Sequence, residues 1–260
     1  MTAFLAITRV TIRQTLRPRR AIGLGLLSAS AAFTYLLTVV GSSAARGSEQ
    51  FAKDQAFDIF VGVTIGTFMN IIIPVVTLII ATSVLGDERR DGTMSFLVLR
   101  PISRFTISVS KVVAAFVESF ALTGLGAVAL GIIAAIRMES FDYFFPLVVG
   151  TAVATAAYSA VFVPLGYLLK RATLIGLTYV FVWENGIAGA VPAVAGISPW
   201  RIGMSAMAGL APDRFLEELP SFAIGSITPG AGGALTKAIV LIALSAAAVA
   251  SILQRRDLAG

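Results

Sequence analysis

The chain has 260 residues, 57% of them hydrophobic and only 13% charged, with a mean hydropathy of +0.89. A soluble domain of this length carries about a quarter charged residues, so this composition leaves too little polar surface to coat a water-soluble globule. The sequence has no cysteine and no histidine, which excludes disulfides, thiolate and imidazole metal sites and a histidine general base. The formal net charge is +6 with a pI near 10.1. Most of the basic residues flank apolar runs, so a membrane surface rather than nucleic acid is the partner implied by this charge.

The first element in chain order is a basic segment, residues 1–20. Arg9, Arg13, Arg17 and Arg20 share one narrow helical face, with Phe4, Leu5, Ile12 and Leu16 to one side. That pattern predicts a helix lying in the headgroup layer with its arginines toward anionic lipid. Pro18 falls where the chain turns into the first span.

A bilayer core of about 30 Å needs roughly 20 apolar residues in a helix. The windows that answer to this are residues 21–41, 59–86, 112–136, 143–169, 172–196 and 231–253. The second contains Asn70 and Pro74, the third has Glu118 as its one charge and the fifth has Glu184. The last reaches full length by taking in residues 231–236, with Lys237 snorkelling. Residues 41–45 also resemble a signal-peptide cleavage site, an alternative that would leave five spans. The expected fold is all-α, a polytopic membrane protein of six transmembrane helices with an N-terminal interfacial helix.

Orientation follows from the basic residues. Thirteen Lys and Arg fall on one side, Arg9 to Arg20, Arg89 to Arg104, Lys170, Arg171, Arg255 and Arg256, against six on the other, with Lys111 set aside as a boundary residue. The positive-inside rule places the first side, both termini and segment 87–104 in the cytoplasm. Small residues mark close helix packing, within one chain or between two copies. They are Gly124, Gly126 and Gly131 on the third window, Gly150, Ala154, Ala157 and Ser159 on the fourth, and residues 245–248 with Ala250 on the last.

Segment 87–104 is unusual for a connector. Asp87, Glu88, Arg89, Arg90 and Asp91 crowd against the end of the second window, and Gly92 then breaks the chain. Residues 93–99 can form two helical turns with Thr93 as N-cap, stopped by Pro101. Phe96, Leu97 and Leu99 are too apolar to stand bare in cytosol and need a groove on a partner or the bilayer interface. A topology-setting charged loop is the simpler account of the charges alone.

Glu88-Arg-Arg-Asp-Gly-Thr-Met-Ser-Phe-Leu97, followed by Arg100-Pro-Ile-Ser103, resembles the E-R-x-x-G-T-x-x-x-L…P-[IV]-S signature of ABC-2-type permeases, the membrane subunits of ATP-binding-cassette exporters. The layout of the whole chain is similar to that family, but only this loop matches at residue level. The resemblance implies that the segment docks on a separate ATPase subunit, with Glu88, Arg89, Arg90, Asp91, Gly92, Thr93, Phe96, Leu97, Arg100 and Pro101 as coupling residues. It also implies a dimer of permeases on a dimer of ATPases in a prokaryotic plasma membrane. No phosphate-binding loop occurs in this sequence, so ATP and Mg²⁺ are expected on the partner and no cofactor in this chain.

Glu118 and Glu184 lie well inside windows with no charge close in sequence. Intramembrane acids are functional candidates, and with Asn185 and Asn70 they are expected to line a translocation path. A hydrogen bond to a neighbouring helix is the rival account. The outer segment, residues 197–230, suits an interface belt at Trp200, Ile202 and Met204 and a water-facing turn at Arg214, Glu217 and Glu218; the family often has a re-entrant element here. Besides a permease, the composition is compatible with a proton-linked secondary transporter or channel using Glu118 and Glu184, or with a non-transporting maturation or scaffold subunit. An intramembrane enzyme is nearly excluded, because no His, no Cys and no paired intramembrane Asp is present. Nothing in the sequence identifies a substrate.

Overall fold

The computed structural model describes residues 2–42, 49–92, 102–187, 196–219 and 230–257. All regular elements among them are helical. They are α1 (Thr2–Thr15), α2 (Pro18–Ser42) and α3 (Glu49–Gly62), which passes through a π-helix, π1 (Val63–Ile72), into α4 (Ile73–Arg90). There follow α5 (Arg104–Met138), α6 (Phe144–Leu168), and α7 (Ala172–Thr178), which continues as π2 (Tyr179–Ile187). The chain ends with α8 (Pro199–Ala208), α9 (Asp213–Glu217) and α10 (Ala231–Asp257). Five helices are long and apolar enough to cross a bilayer: Pro18–Ser42, Glu49–Arg90, Arg104–Met138, Phe144–Leu168 and Ala231–Gln254, with Ala172–Glu184 as a shorter apolar one. The protein is an all-helical, polytopic membrane protein.

Local chemistry sets the helix ends. Ser103 caps α5, its hydroxyl accepting from the Thr106 amide at 3.1 Å, which satisfies one of the orphan donors of a first turn. At the end of α4, Gly92 takes a left-handed φ of 68°, the conformation that closes a helix and that only glycine adopts without cost. Proline stands at the start of α2 and of α8, where its missing amide costs nothing. Pro74 acts differently. Its ring cannot accommodate an ordinary α-turn around the Asn70 carbonyl, and the chain answers with a wider turn in which the Ile73 amide donates to Phe68 O.

Two contacts fix the direction of the bundle. Lys111 near the start of α5 bonds Glu88 at the end of α4, while Lys53 in α3 bonds Glu139 just past α5 at 2.7 Å. The long helices therefore alternate, and one end of the bundle gathers α1, the start of α2, the end of α4, the start of α5 and the α6–α7 turn. The 18-residue apolar windows of Glu49–Arg90 and α6 are each 78% buried, against 33% for α2 and 28% for α10. The first two form the centre. The outer faces of α2 (Ile22, Leu26, Phe33, Leu37) and α10 (Leu235, Ile239, Leu244) remain apolar and exposed, as lipid-facing surfaces are.

Lipid supplies no hydrophobic drive between helices, so close backbone approach carries much of the packing. A Cβ at Gly166 of α6 would stand 2.3 Å from Thr82 O of α4. One at Gly126 of α5 would meet Ser28 O of α2 at 2.5 Å, and one at Gly203 of α8 would meet Ala154 Cβ of α6 at 2.5 Å. The small residues Gly126, Gly150 and Ala154 thus pack helices of this one chain together.

The outer segment departs from expectation. Trp200, Ile202 and Met204 are not an interface belt; all ten residues of α8 are buried. The close approach of Gly150 and Ala154 to Gly203 and Met207 draws α8 in against α6, and burial against protein replaces burial in headgroups.

Candidate functional site

The end of the bundle that gathers the basic residues holds a buried polar junction. Lys111 has 1% of its side chain exposed, and its ammonium donates to a carboxylate oxygen of Glu88 and to Thr11 Oγ1, the latter at 2.8 Å. An ammonium in so dry a place persists only with a charged partner and its protons used. Glu88 supplies the charge from the last turn of α4, and Thr11 supplies an acceptor from α1. One turn further along α1, Thr15 Oγ1 donates to Glu118 Oε1 at 2.5 Å. Lys111 and Glu118 are seven residues apart on one face of α5, so α1 lies along that face and is held at both positions. Arg20, at the start of α2, donates to the Ile79 carbonyl and feels the charges of Asp87 and Glu118.

The motif residues around Glu88 continue this pattern. Arg89 donates to the Tyr167 carbonyl of α6, with its guanidinium 6.0 Å from the Tyr167 ring centroid. Arg90 pairs with Asp87 one turn back, in a more exposed position. The end of α4 is therefore tied to α5 and α1 through Glu88 and to α6 through Arg89, before Asp91 and Gly92 end the helix. Thr93, Phe96, Leu97, Arg100 and Pro101 lie outside the described residues.

Glu184 sits in π2, on a different element from Glu118. One of its oxygens accepts from Ser198 Oγ, the same hydroxyl that caps α8 by accepting from the Arg201 amide at 3.3 Å. Tyr158 and Arg201 flank the carboxylate, and Arg201 is 2% exposed. The sequence count had placed Arg201 among outer-side charges; folded, it faces Glu184 from inside the bundle. Its guanidinium also lies 5.4 Å from the Trp200 ring centroid. Asn70 falls in π1 and is half-buried, and Asn185 falls in π2 beside Glu184. The four residues expected on a path thus occupy three places: the junction at α1, and the two π-helices. The two carboxyl groups are each buried against another element of the same chain, at 1% and 5% exposure.

Sequence reasoning put Lys111 on the face of Glu118 without finding its partners, counted Arg201 on the outer side, and did not single out Thr11, Thr15 or Ser198. The available signal was a lysine opening an apolar run seven residues before a lone glutamate, and Ser-Pro-Trp-Arg after a long apolar stretch. Neither names its partner, because Thr11 and Lys111 are a hundred residues apart in sequence.

The opposite end carries ordinary surface pairs. Lys53 bridges Glu49 and Glu139, and Arg214 bonds Asp54 at 2.8 Å while covering the Phe57 ring at 4.2 Å.

A family model described as an ABC-2 family transporter protein matches residues 16–185. Among curated proteins none matches the chain. The matched stretch begins just after α1 and ends at Asn185, taking in Glu88, Lys111 and Glu118 of the junction, the whole of segment 87–104 and Asn70, Glu184 and Asn185 of the π-helices, but not Thr11 or Thr15 of α1. It covers well over half of the sequence, and the chain therefore belongs to the ABC-2 transporter family, as a multi-pass membrane permease of the ATP-binding-cassette type.

Proposed function

We propose that this permease is the membrane half of an ATP-driven exporter, working as a homodimer on two copies of a separate ATPase subunit that binds ATP and Mg²⁺. Segment 87–104 faces the cytoplasm, as do both termini, and receives the ATPase. The observation that carries this assignment is the buried Glu88–Lys111–Thr11 junction. It sits where the docking segment begins and joins three helices at that point. A push on residues 93–101 cannot move the end of α4 alone, because breaking the pair would strand a charge in a dry site. The ends of α4, α5 and α1 move together instead.

π1 is the natural pivot for that movement. π-turns are rare and recur at functional sites, and π1 lies in the middle of the same continuous helix, Glu49–Arg90, that carries Glu88 in its last turn. A path lined by Glu118, Glu184, Asn70 and Asn185 would open by separating helices that now close over both carboxyl groups. Arg201 and Thr15 would then be exposed with them.

The test is to copurify the chain with the ATPase encoded beside it and to measure ATP hydrolysis in lipid for the native pair, Glu88→Ala and Phe96→Ala. Phe96→Ala is expected to weaken assembly. Glu88→Ala is expected to leave the complex assembled but to lower transport-linked hydrolysis severalfold. Native assembly and native hydrolysis in both variants would refute a coupling role for this segment.

A further inference from the structure

A second feature at the same end of the bundle is not part of the junction. A cavity of about 640 Å³ opens between the start of α2, the end of α4 and the α6–α7 turn. Arg20, Arg89, Arg90, Lys170 and Arg171 line it, and among the described residues no carboxylate does. Three of these cations have protein partners: Arg20 and Arg89 bond main-chain carbonyls, and Arg90 pairs with Asp87. Lys170 and Arg171 are exposed, and their side chains make no hydrogen bond or ion pair with any described residue. Uncompensated cations facing a cleft whose other walls are also cationic repel one another, and the arrangement is favourable only with an anion between them. Thr82 and Thr173 contribute hydroxyls to the same wall, 3.3 Å apart.

The surroundings identify the kind of anion. Leu174 in the wall of the cleft and its neighbours Leu168 and Ile175 are exposed apolar side chains at the α6–α7 turn. A cleft with cations at its head and apolar residues at its rim fits an amphiphile better than a free ion. Basic pockets between helix ends at a membrane surface bind anionic headgroups through phosphate oxygens, and a guanidinium presents paired donors to them.

We propose that this cleft binds the phosphate headgroup of an anionic phospholipid, with Lys170 and Arg171 as its free cations and the acyl chains lying along Leu174 and Ile175. The lipid ties the α6–α7 turn to the end of α4 from the side opposite Lys111. The assignment does not depend on the coupling role of residues 87–104, and the measurement below involves no ATPase.

The experiment uses the purified full-length chain in a neutral detergent, titrated with phosphatidylglycerol or phosphatidylcholine and read by native mass spectrometry and thermal shift. Phosphatidylglycerol is expected to bind and stabilise, and phosphatidylcholine is not. Lys170→Gln/Arg171→Gln is expected to bind phosphatidylglycerol roughly 30-fold more weakly, from about a fivefold loss per basic residue at a membrane surface. Its melting point in phosphatidylcholine should stay unchanged, since both side chains are exposed. The single variants, each expected to lose about fivefold, carry the test if the double variant does not assemble. Equal binding of both lipids, or native affinity in the variants, overturns the proposal. Full competition by millimolar inorganic phosphate would assign the cleft to a free anion and overturn the lipid.

Discussion

Removing either member of the Glu88–Lys111 pair should cost more than removing both. The perturbations are Lys111→Met, Glu88→Leu and their combination. Breaking a buried ion pair from one side costs about 3–5 kcal/mol, because the remaining charge is left uncompensated. The exposures order the two single variants. Glu88 retains 14% exposure of its side chain and Lys111 only 1%, so the carboxylate that Lys111→Met leaves can reach water by a small movement while the ammonium that Glu88→Leu leaves cannot. That places Lys111→Met near the low end, at about 3 kcal/mol. Glu88→Leu starts near 5 and recovers about 1 from the surviving bond to Thr11, giving about 4 kcal/mol. The double variant removes both charges and leaves packed apolar side chains, a change that is often neutral, so its loss should be within about 2 kcal/mol. The coupling energy is then about 5 kcal/mol, well above the scatter of about 0.5 kcal/mol seen for independent sites. Unfolding free energies in mixed micelles provide the four corners of the cycle. If the double variant loses the sum of the single losses, the two groups are independent and the rigid junction assigned to them does not exist.

Other positions give sharper, smaller tests. Gly166→Val should separate α4 from α6, because its Cβ would lie 2.3 Å from a main-chain oxygen that cannot rotate away; a loss of at least about 3 kcal/mol is expected. Gly23→Ala, with open space around it, should be neutral or slightly stabilising by comparison. Glu184→Gln keeps an acceptor for Ser198 but removes the charge that faces Arg201. It should cost several-fold more than Ser198→Ala, whose loss is set by one hydrogen bond and one helix cap at about 1–2 kcal/mol, and equal losses would remove Arg201 from the account. Arg214→Ala should cost about 1 kcal/mol, shared between an exposed bridge and the Phe57 ring; 0.5 M salt should abolish only part of it, and complete loss in salt would mean the ring contact is worth nothing. Pro74→Ala restores an amide, and π1 is expected to relax to an α-turn that rotates residues before it by about 100°. The chain has no cysteine, so spin labels at introduced cysteines on α3 and α4 can report that rotation, and unchanged distances would separate Pro74 from the π-turn.

The membrane class was legible from composition, and the helical windows from their apolar length, because both are properties of the chain that need no partner. The family was legible for a different reason, from a run of residue types in segment 87–104 that resembles its signature. What stayed hidden was the pairing of charges. Lys111 counts as a boundary lysine and Arg201 as an outer-side arginine while only topology is being read, since a positive-inside count treats every cation as solvated. Both are buried, and each faces a carboxylate contributed by another segment: Glu88 is 23 residues from Lys111, and Ser198 joins Glu184 to α8 across 14. Local periodicity carries no term for such pairs. Burial in α8 was hidden for a related reason, since Trp200, Ile202 and Met204 satisfy an interface and a protein interior equally well until Gly203 is seen against Ala154.

The two buried acids therefore acquire a common logic that neither shows alone. Each is held by a hydroxyl at a helix that is not a full span, Thr15 on α1 for Glu118 and Ser198 on α8 for Glu184. Each also lies within the field of an arginine, Arg20 in one case and Arg201 in the other. A short helix lying against the bundle does not span the membrane, and one charge-assisted hydrogen bond of about 1.5–3 kcal/mol is a large share of what ties it to the other helices. Glu118→Leu and Glu184→Leu should then release α1 and α8 respectively, seen as new protease cleavage near residues 16–17 and 209–212, where each short helix ends. If both variants stay as resistant as the native chain while transport is lost, the acids serve a path and not the attachment of these helices. If cleavage appears and transport falls in parallel, attachment of the short helices is itself a condition for the path to form.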